Sequence, residues 1–116
     1  MSAEKKKLVL VWTTADREAA MNMILLYGRN AKKHGWWEEV DLLIWGPSGK
    51  TLLSDVELQA EVSAMKEEGI GIIACKGCAE RFGIVEDLEG VGVKVFYTGV
   101  YLTEAVKADE VEVLTF

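Results

Sequence analysis

The two cysteines of the chain lie three residues apart in the stretch Ile73-Ala74-Cys75-Lys76-Gly77-Cys78-Ala79-Glu80-Arg81-Phe82-Gly83, directly after an apolar run. A Cys-x-x-Cys pair supports a metal clip, a dithiol switch, or one working thiol with a neighbour. A closed zinc site needs four Cys or His ligands, and this chain offers two cysteines and a single histidine, His34. No metal and no cofactor is therefore expected, and a zinc shared between subunits is poorly motivated. The thiol chemistries remain.

Placement favours them. Ile70 to Ala74 reads as a strand and a helix or pair of turns is expected over Lys76 to Leu88, so Cys75 falls at the carboxyl edge of a sheet. Open α/β proteins place their ligands at that edge. Free N–H groups at a helix start favour a thiolate, and Lys76 and Arg81 add positive charge nearby. Cys75 is thus expected to be the nucleophile. Cys78, one helical turn on and on the same face, is placed to resolve a sulfenate or persulfide on Cys75 as a disulfide. The competing reading is that both are small buried hydrophobes, as free cysteines often are.

Other candidates carry less. Trp45-Gly46-Pro47-Ser48-Gly49-Lys50-Thr51 imitates a phosphate loop, but the Walker pattern requires a glycine where Ile44 stands. An ordinary Gly-Pro turn explains it better. His34 sits among lysines at an expected helix end, where a cation complements the helix dipole. Trp36 and Trp37 follow that helix and are expected to be partial core, with a pocket or an interface as the alternative. The acids Glu38, Glu39, Glu67, Glu68, Asp109 and Glu110 read as solvated surface.

The elements that position the cysteines follow from pattern. Leu8 to Trp12 is a continuous apolar run, the mark of a strand buried on both faces. Thr13 to Asp16 offers a cap, and Arg17 to His34 reads as a helix closed by Lys32, Lys33, His34 and Gly35. A second strand is expected over Val40 to Trp45. Ser54-Asp55-Val56-Glu57 reads as a capping box opening a helix that Gly69 stops, with Leu58, Val62 and Met65 at helical spacing. Strands over Val93 to Tyr97 and Val111 to Phe116 flank a short helix at Leu102 to Lys107. This alternation predicts a three-layer α/β/α sandwich around a five-stranded, mainly parallel sheet. Strand order stays open, because several doubly wound topologies share the alternation.

The first helix carries Ala19, Ala20, Met23, Ile24 and Tyr27 on one face and Met21, Leu25 and Leu26 on another. A helix apolar nearly all round is buried nearly all round, by a wide core face or by another subunit. At 116 residues, half of them apolar, the chain fits one folded domain, 1–116. Thirteen Lys and Arg against 19 Asp and Glu give a net charge of −6, which disfavours nucleic-acid binding. Lys5-Lys6-Lys7 reads as a solvated lead-in to the first strand. Apolar runs are too short to span a bilayer and Met1 to Lys7 is too polar to open a signal peptide, so a cytoplasmic location is expected. In that reducing compartment a Cys-x-x-Cys pair is catalytic, redox-active or metal-binding more often than a structural disulfide.

The run Cys75 to Ile84, the preceding strand Ile70 to Ala74, and the early strand Leu8 to Thr13 together resemble the DsrE-like family, which includes DsrE, DsrF and TusD-type subunits of sulfur-relay and sulfur-oxidation systems. The resemblance extends over essentially the whole chain. In that family the working cysteine precedes a helix and stands eight residues before a glycine followed by an aliphatic residue, as Cys75 stands before Gly83 and Ile84. The resemblance implies a three-layer fold, a trimer or trimer-based hexamer, and a persulfide carried on Cys75 by a sulfurtransferase or sulfur carrier. Its sulfur donor and acceptor proteins are not identified by the resemblance. Relay subunits often work with a single cysteine here, so Cys78 departs from the pattern and keeps open a thiol-disulfide oxidoreductase or redox sensor. An oligomeric binding module with inert cysteines is the third reading.

Overall fold

The structure is a computed structural model that describes residues 5–116, so the part of the leader expectation resting on Met1 to Glu4 lies outside the described residues. Five strands alternate with helices: β1 (Lys7–Trp12), β2 (Glu39–Ile44), β3 (Gly71–Cys75), β4 (Lys94–Phe96) and β5 (Val111–Thr115). They form one sheet in the order β4-β3-β2-β1-β5, and every neighbouring pair is parallel. The expected α/β sandwich is the observed architecture. Chain reversal falls between β1 and β5, and there Thr13 and Phe116 close the gap: the Thr13 N–H donates to the Phe116 carbonyl at 2.7 Å and the Phe116 N–H to the Val11 carbonyl at 2.8 Å.

The helical layers are unequal. Side chains pointing one way from the sheet, including Leu8, Leu10, Trp12, Leu42, Ile44 and Ile72, form the larger core with residues from most of the helices. The contributing helices are α2 (Leu25–Lys33), α3 (Ser48–Leu53), α4 (Val56–Glu67), α5 (Lys76–Phe82) and α6 (Val85–Gly90), whereas the short α1 (Arg17–Ala19) buries no residue. The opposite face, with Val9, Val11, Leu43 and Ile73, packs against a single helix, α7 (Gly99–Lys107), through Tyr101, Leu102 and Ala105. One helix thus supplies the helical layer on that face.

Several local expectations are corrected. The first helix is not uniformly α: Ala20–Ile24 is a π-helical segment between α1 and α2. Its cap is Asp16, whose carboxylate accepts from the N–H groups of Glu18 and Ala19 at 2.9 and 3.1 Å. The fourth helix is capped by Asp55, which accepts from the Leu58 N–H at 3.1 Å, while Ser54 ends α3 and caps nothing ahead of it. Asp is as good an N-cap as Ser, and Asp55 gains a second partner in the Arg17 guanidinium. The segment Lys76 to Leu88 is two helices, broken where Gly83 takes a left-handed φ of 68° that glycine adopts without steric cost.

The wide-core-face reading of the first helix fails for part of its apolar set. Ala20, Ile24, Leu25 and Ala31 are buried, but Met23 and Leu26 are about half exposed, at 54% and 52%. Tyr27 and Trp36 lie exposed beside them, with His34 stacked on Trp36 and the Trp37 indole N–H donating to the Tyr27 hydroxyl at 3.2 Å. Trp37 itself packs partly on the core. Among the described residues, no helix is long and apolar enough to cross a membrane.

Candidate functional site

Cys75 is the last residue of β3 and the residue that opens α5. The apolar run Ile72-Ile73-Ala74 forces the strand into the core, and the chain must leave the sheet at its carboxyl edge, where α5 begins. Cys75 is still extended, with φ −72° and ψ 116°, so its thiol stands at the helix start. In register it lies beside Phe96 of β4, whose chain continues into Tyr97 and Thr98. Two parallel strands therefore deliver Cys75 and Thr98 to one place.

The thiol is half-buried, and its electrostatics are a balance. Burial pushes its pKa up, but the Cys78 N–H, the Thr98 hydroxyl, the Cys78 thiol and the Gly77 N–H together outweigh burial and hold it below the ordinary thiol value. The backbone N–H groups act without forming a full capping hydrogen bond. Thr98 is buried, at 3% exposure, so its hydroxyl works in a poorly solvated setting. A thiol so placed ionises more readily than an unperturbed one.

Lys76 and Arg81, expected to stabilise the thiolate, are not among the groups that lower it. The Lys76 ammonium lies 5.3 Å from the centre of the Tyr97 ring, and the Tyr97 hydroxyl donates to Glu80 at 2.8 Å. That exposed cluster borders Cys75. Cys78 is half-buried on the same helix, close enough for its thiol to hydrogen-bond to the Cys75 sulfur. Among the described residues, no group of three His, Cys, Asp or Glu side chains stands together as a metal-binding cluster. Thr98 is the site residue that sequence reasoning missed. It follows an apolar strand and opens α7 just as Cys75 follows β3 and opens α5.

The phosphate-loop imitation has a structural explanation. Ser48 is fully buried; its hydroxyl donates to the Trp12 carbonyl and accepts from the Trp45 N–H at 3.1 Å. It ties the ends of β1 and β2 to the start of α3.

With this geometry in view, the likeness to solved structures is informative. A conserved protein of unknown function, BT1422 from Bacteroides thetaiotaomicron, superposes with a TM-score of 0.90 at 35% identity, covering 96% of this chain and 95% of that one. The chain belongs to the family of that protein. The ychN protein from E. coli superposes with a TM-score of 0.72 at 16% identity over 97% of this chain and 99% of its own, a likeness of fold. No family model matches the chain. No curated protein matches it either.

Proposed function

We propose that the chain is a DsrE-like sulfur-handling protein that carries sulfane sulfur as a persulfide on Cys75. The observation that carries this reading is the Cys75 thiol itself, half-buried at the start of α5 with its pKa lowered by N–H and hydroxyl donors. The spacing of Cys75 to Gly83 and Ile84 and the fold shared with the ychN protein support it. The Cys75 thiolate attacks a sulfane sulfur of a polysulfide or persulfide donor, the donor's thiolate or sulfide leaves, and Cys75-S-SH forms. An acceptor thiolate then attacks the outer sulfur and releases the Cys75 thiolate, which the same donors stabilise. Lys76 and Arg81 sit on the exposed side of the site, where their charge meets an anionic donor or partner.

The protein acts as one domain over 1–116, in the cytoplasm, as a homo-oligomer of the trimeric or hexameric kind. The exposed apolar set Met23, Leu26, Tyr27 and Trp36 gives such an assembly a face to cover. Intact-protein mass spectrometry after polysulfide treatment and desalting tests the central claim. A gain of about 32 Da that Cys75→Ser abolishes is expected, from addition of one sulfur. Equal sulfur uptake by the Cys75→Ser variant defeats the proposal.

A further inference from the structure

Cys78 has no part in the carrier cycle just described, yet it is a second half-buried thiol in the first turn of the helix that Cys75 caps. The two residues are the N-cap and the third residue of α5, three apart in the chain, an arrangement that puts both side chains on one face of the helix start. Gly77 between them adds no side chain, and even a Cβ there would only touch the Cys75 sulfur, at 3.9 Å. The path between the sulfurs is therefore not obstructed from within the helix.

A persulfide has two electrophilic sulfurs, and the outcome depends on which is attacked. Attack on the outer sulfur transfers the sulfane atom, while attack on the inner one expels it as sulfide. An external acceptor meets the outer sulfur first. Cys78 is tethered three residues away, in the first turn of the helix that Cys75 caps, beside the Cys75 sulfur, which becomes the inner sulfur of the persulfide. We infer that Cys78 discharges the Cys75 persulfide by attacking its inner sulfur, so that the chain reduces sulfane sulfur to sulfide when no acceptor takes it. This inference rests on the persulfide reading above.

The step balances within the protein. Cys78 loses its proton and forms a bond to the Cys75 sulfur; the bond between inner and outer sulfur breaks, and the outer sulfur leaves with the bonding pair as HS⁻. The sulfane sulfur is reduced by two electrons and the two cysteines are oxidised to a disulfide. A cellular dithiol reductant returns both thiols by thiol-disulfide exchange.

The test loads reduced parent and Cys78→Ser proteins with inorganic polysulfide and removes excess reagent by rapid desalting. Intact mass and released sulfide are then followed together. The parent is expected to lose its added sulfur and end about 2 Da below the reduced mass, with about one sulfide per chain, while Cys78→Ser keeps its persulfide at least about tenfold longer. Equal persulfide lifetimes in the two proteins would overturn the discharge step and leave the carrier reading standing. Sulfide release without the disulfide mass would also overturn it, since the two electrons would then have come from a thiol other than Cys78. Absence of added sulfur in both parent and Cys78→Ser, and equally in Cys78→Ala as a check on the serine, would sink the persulfide reading and the discharge with it.

Discussion

Two polar clusters lie along the sheet face that α7 covers, and they are built to opposite ends. Toward the amino ends of the strands, Asp41 of β2 receives the Lys7 ammonium at 3.0 Å and the Tyr101 hydroxyl, and the Lys7 ammonium also lies 5.2 Å from the Tyr101 ring centre. Every group there has a partner, and burial followed by the Asp41 carboxylate pushes the Tyr101 phenol above its ordinary pKa. At the carboxyl edge, Cys75 gathers donors from Cys78, Thr98 and Gly77 but no cation or acid that would neutralise it. A closed cluster anchors α7; an open one leaves the Cys75 thiol without a charged partner. The difference is one of completion: charges that satisfy each other are spent on structure, whereas a thiol surrounded only by donors has its deprotonation favoured.

The anchor should break most visibly at Gly71. It stands opposite Asp41 in register, and a Cβ built on it would come within 2.2 Å of Asp41 Oδ1. Gly71→Ala must push Asp41 away from Lys7 and Tyr101, with an expected loss of about 2–3 kcal/mol in urea unfolding, an overpacking cost plus disturbed buried hydrogen bonds. Sulfur uptake by the folded fraction should persist, because Cys75 lies at the other end of β3. Unchanged stability would mean that the anchor contributes little.

Tyr101→Phe removes one hydrogen bond and leaves Lys7 on Asp41, so a smaller loss of about 1 kcal/mol is expected. Its pH signature is specific. The folded-state pKa of Tyr101 is raised, so its contribution is intact below the unfolded value near pH 10 and fades as pH rises beyond it. Above about pH 10 the parent should lose stability more steeply than Tyr101→Phe. Parallel curves would remove Tyr101 from the anchor.

At the open cluster, Thr98→Val deletes a donor to the thiolate while keeping shape. The Cys75 pKa should rise, and alkylation of Cys75 near pH 7 should slow by about three- to tenfold. The stability linkage has the opposite sign to Tyr101: a lowered thiol pKa contributes above the unfolded value near 8.5 and is lost as pH falls through the folded one. A pH profile of alkylation unaltered by Thr98→Val would leave the backbone N–H groups and Cys78 as the whole source of activation.

How much of this was legible in the chain depends on the range of the interaction. Leu8 to Trp12 and Ile72 to Ala74 announce buried strands by unbroken apolar character, and Cys75 is marked by its place directly after one of them. Asp16 and Asp55 each lay inside a stretch that reads as a helix cap, Thr13 to Asp16 and Ser54 to Glu57, and only the backbone geometry selects the capping residue. The placement of Thr98 depends on β3 pairing with β4 in the register that sets Cys75 beside Phe96. Tyr101 and Asp41 are sixty positions apart and meet only because α7 folds across the sheet, so no local pattern signals the anchor. The charge expected from Lys76 and Arg81 was a local inference, whereas the donors that lower the Cys75 pKa come from Cys78, Thr98 and Gly77.

The smallest effect asks whether the two clusters are independent. Thr98 immediately precedes α7 and Tyr101 sits in its first turn, so the anchor and the Thr98 donor share one helix. If Tyr101 alone fixed α7, Tyr101→Phe would loosen Thr98 and slow Cys75 alkylation nearly as much as Thr98→Val does. But α7 is also held by Leu102 and Ala105 against Val9, Val11, Leu43 and Ile73, an apolar contact that the substitution leaves intact. Packing of that kind fixes a helix to within small displacements. Tyr101→Phe is therefore expected to change Cys75 alkylation by less than about twofold, additive with Thr98→Val in the double variant. A non-additive double variant would show that the closed cluster sets the geometry of the open one, and that α7 transmits its position from one end of the sheet to the other.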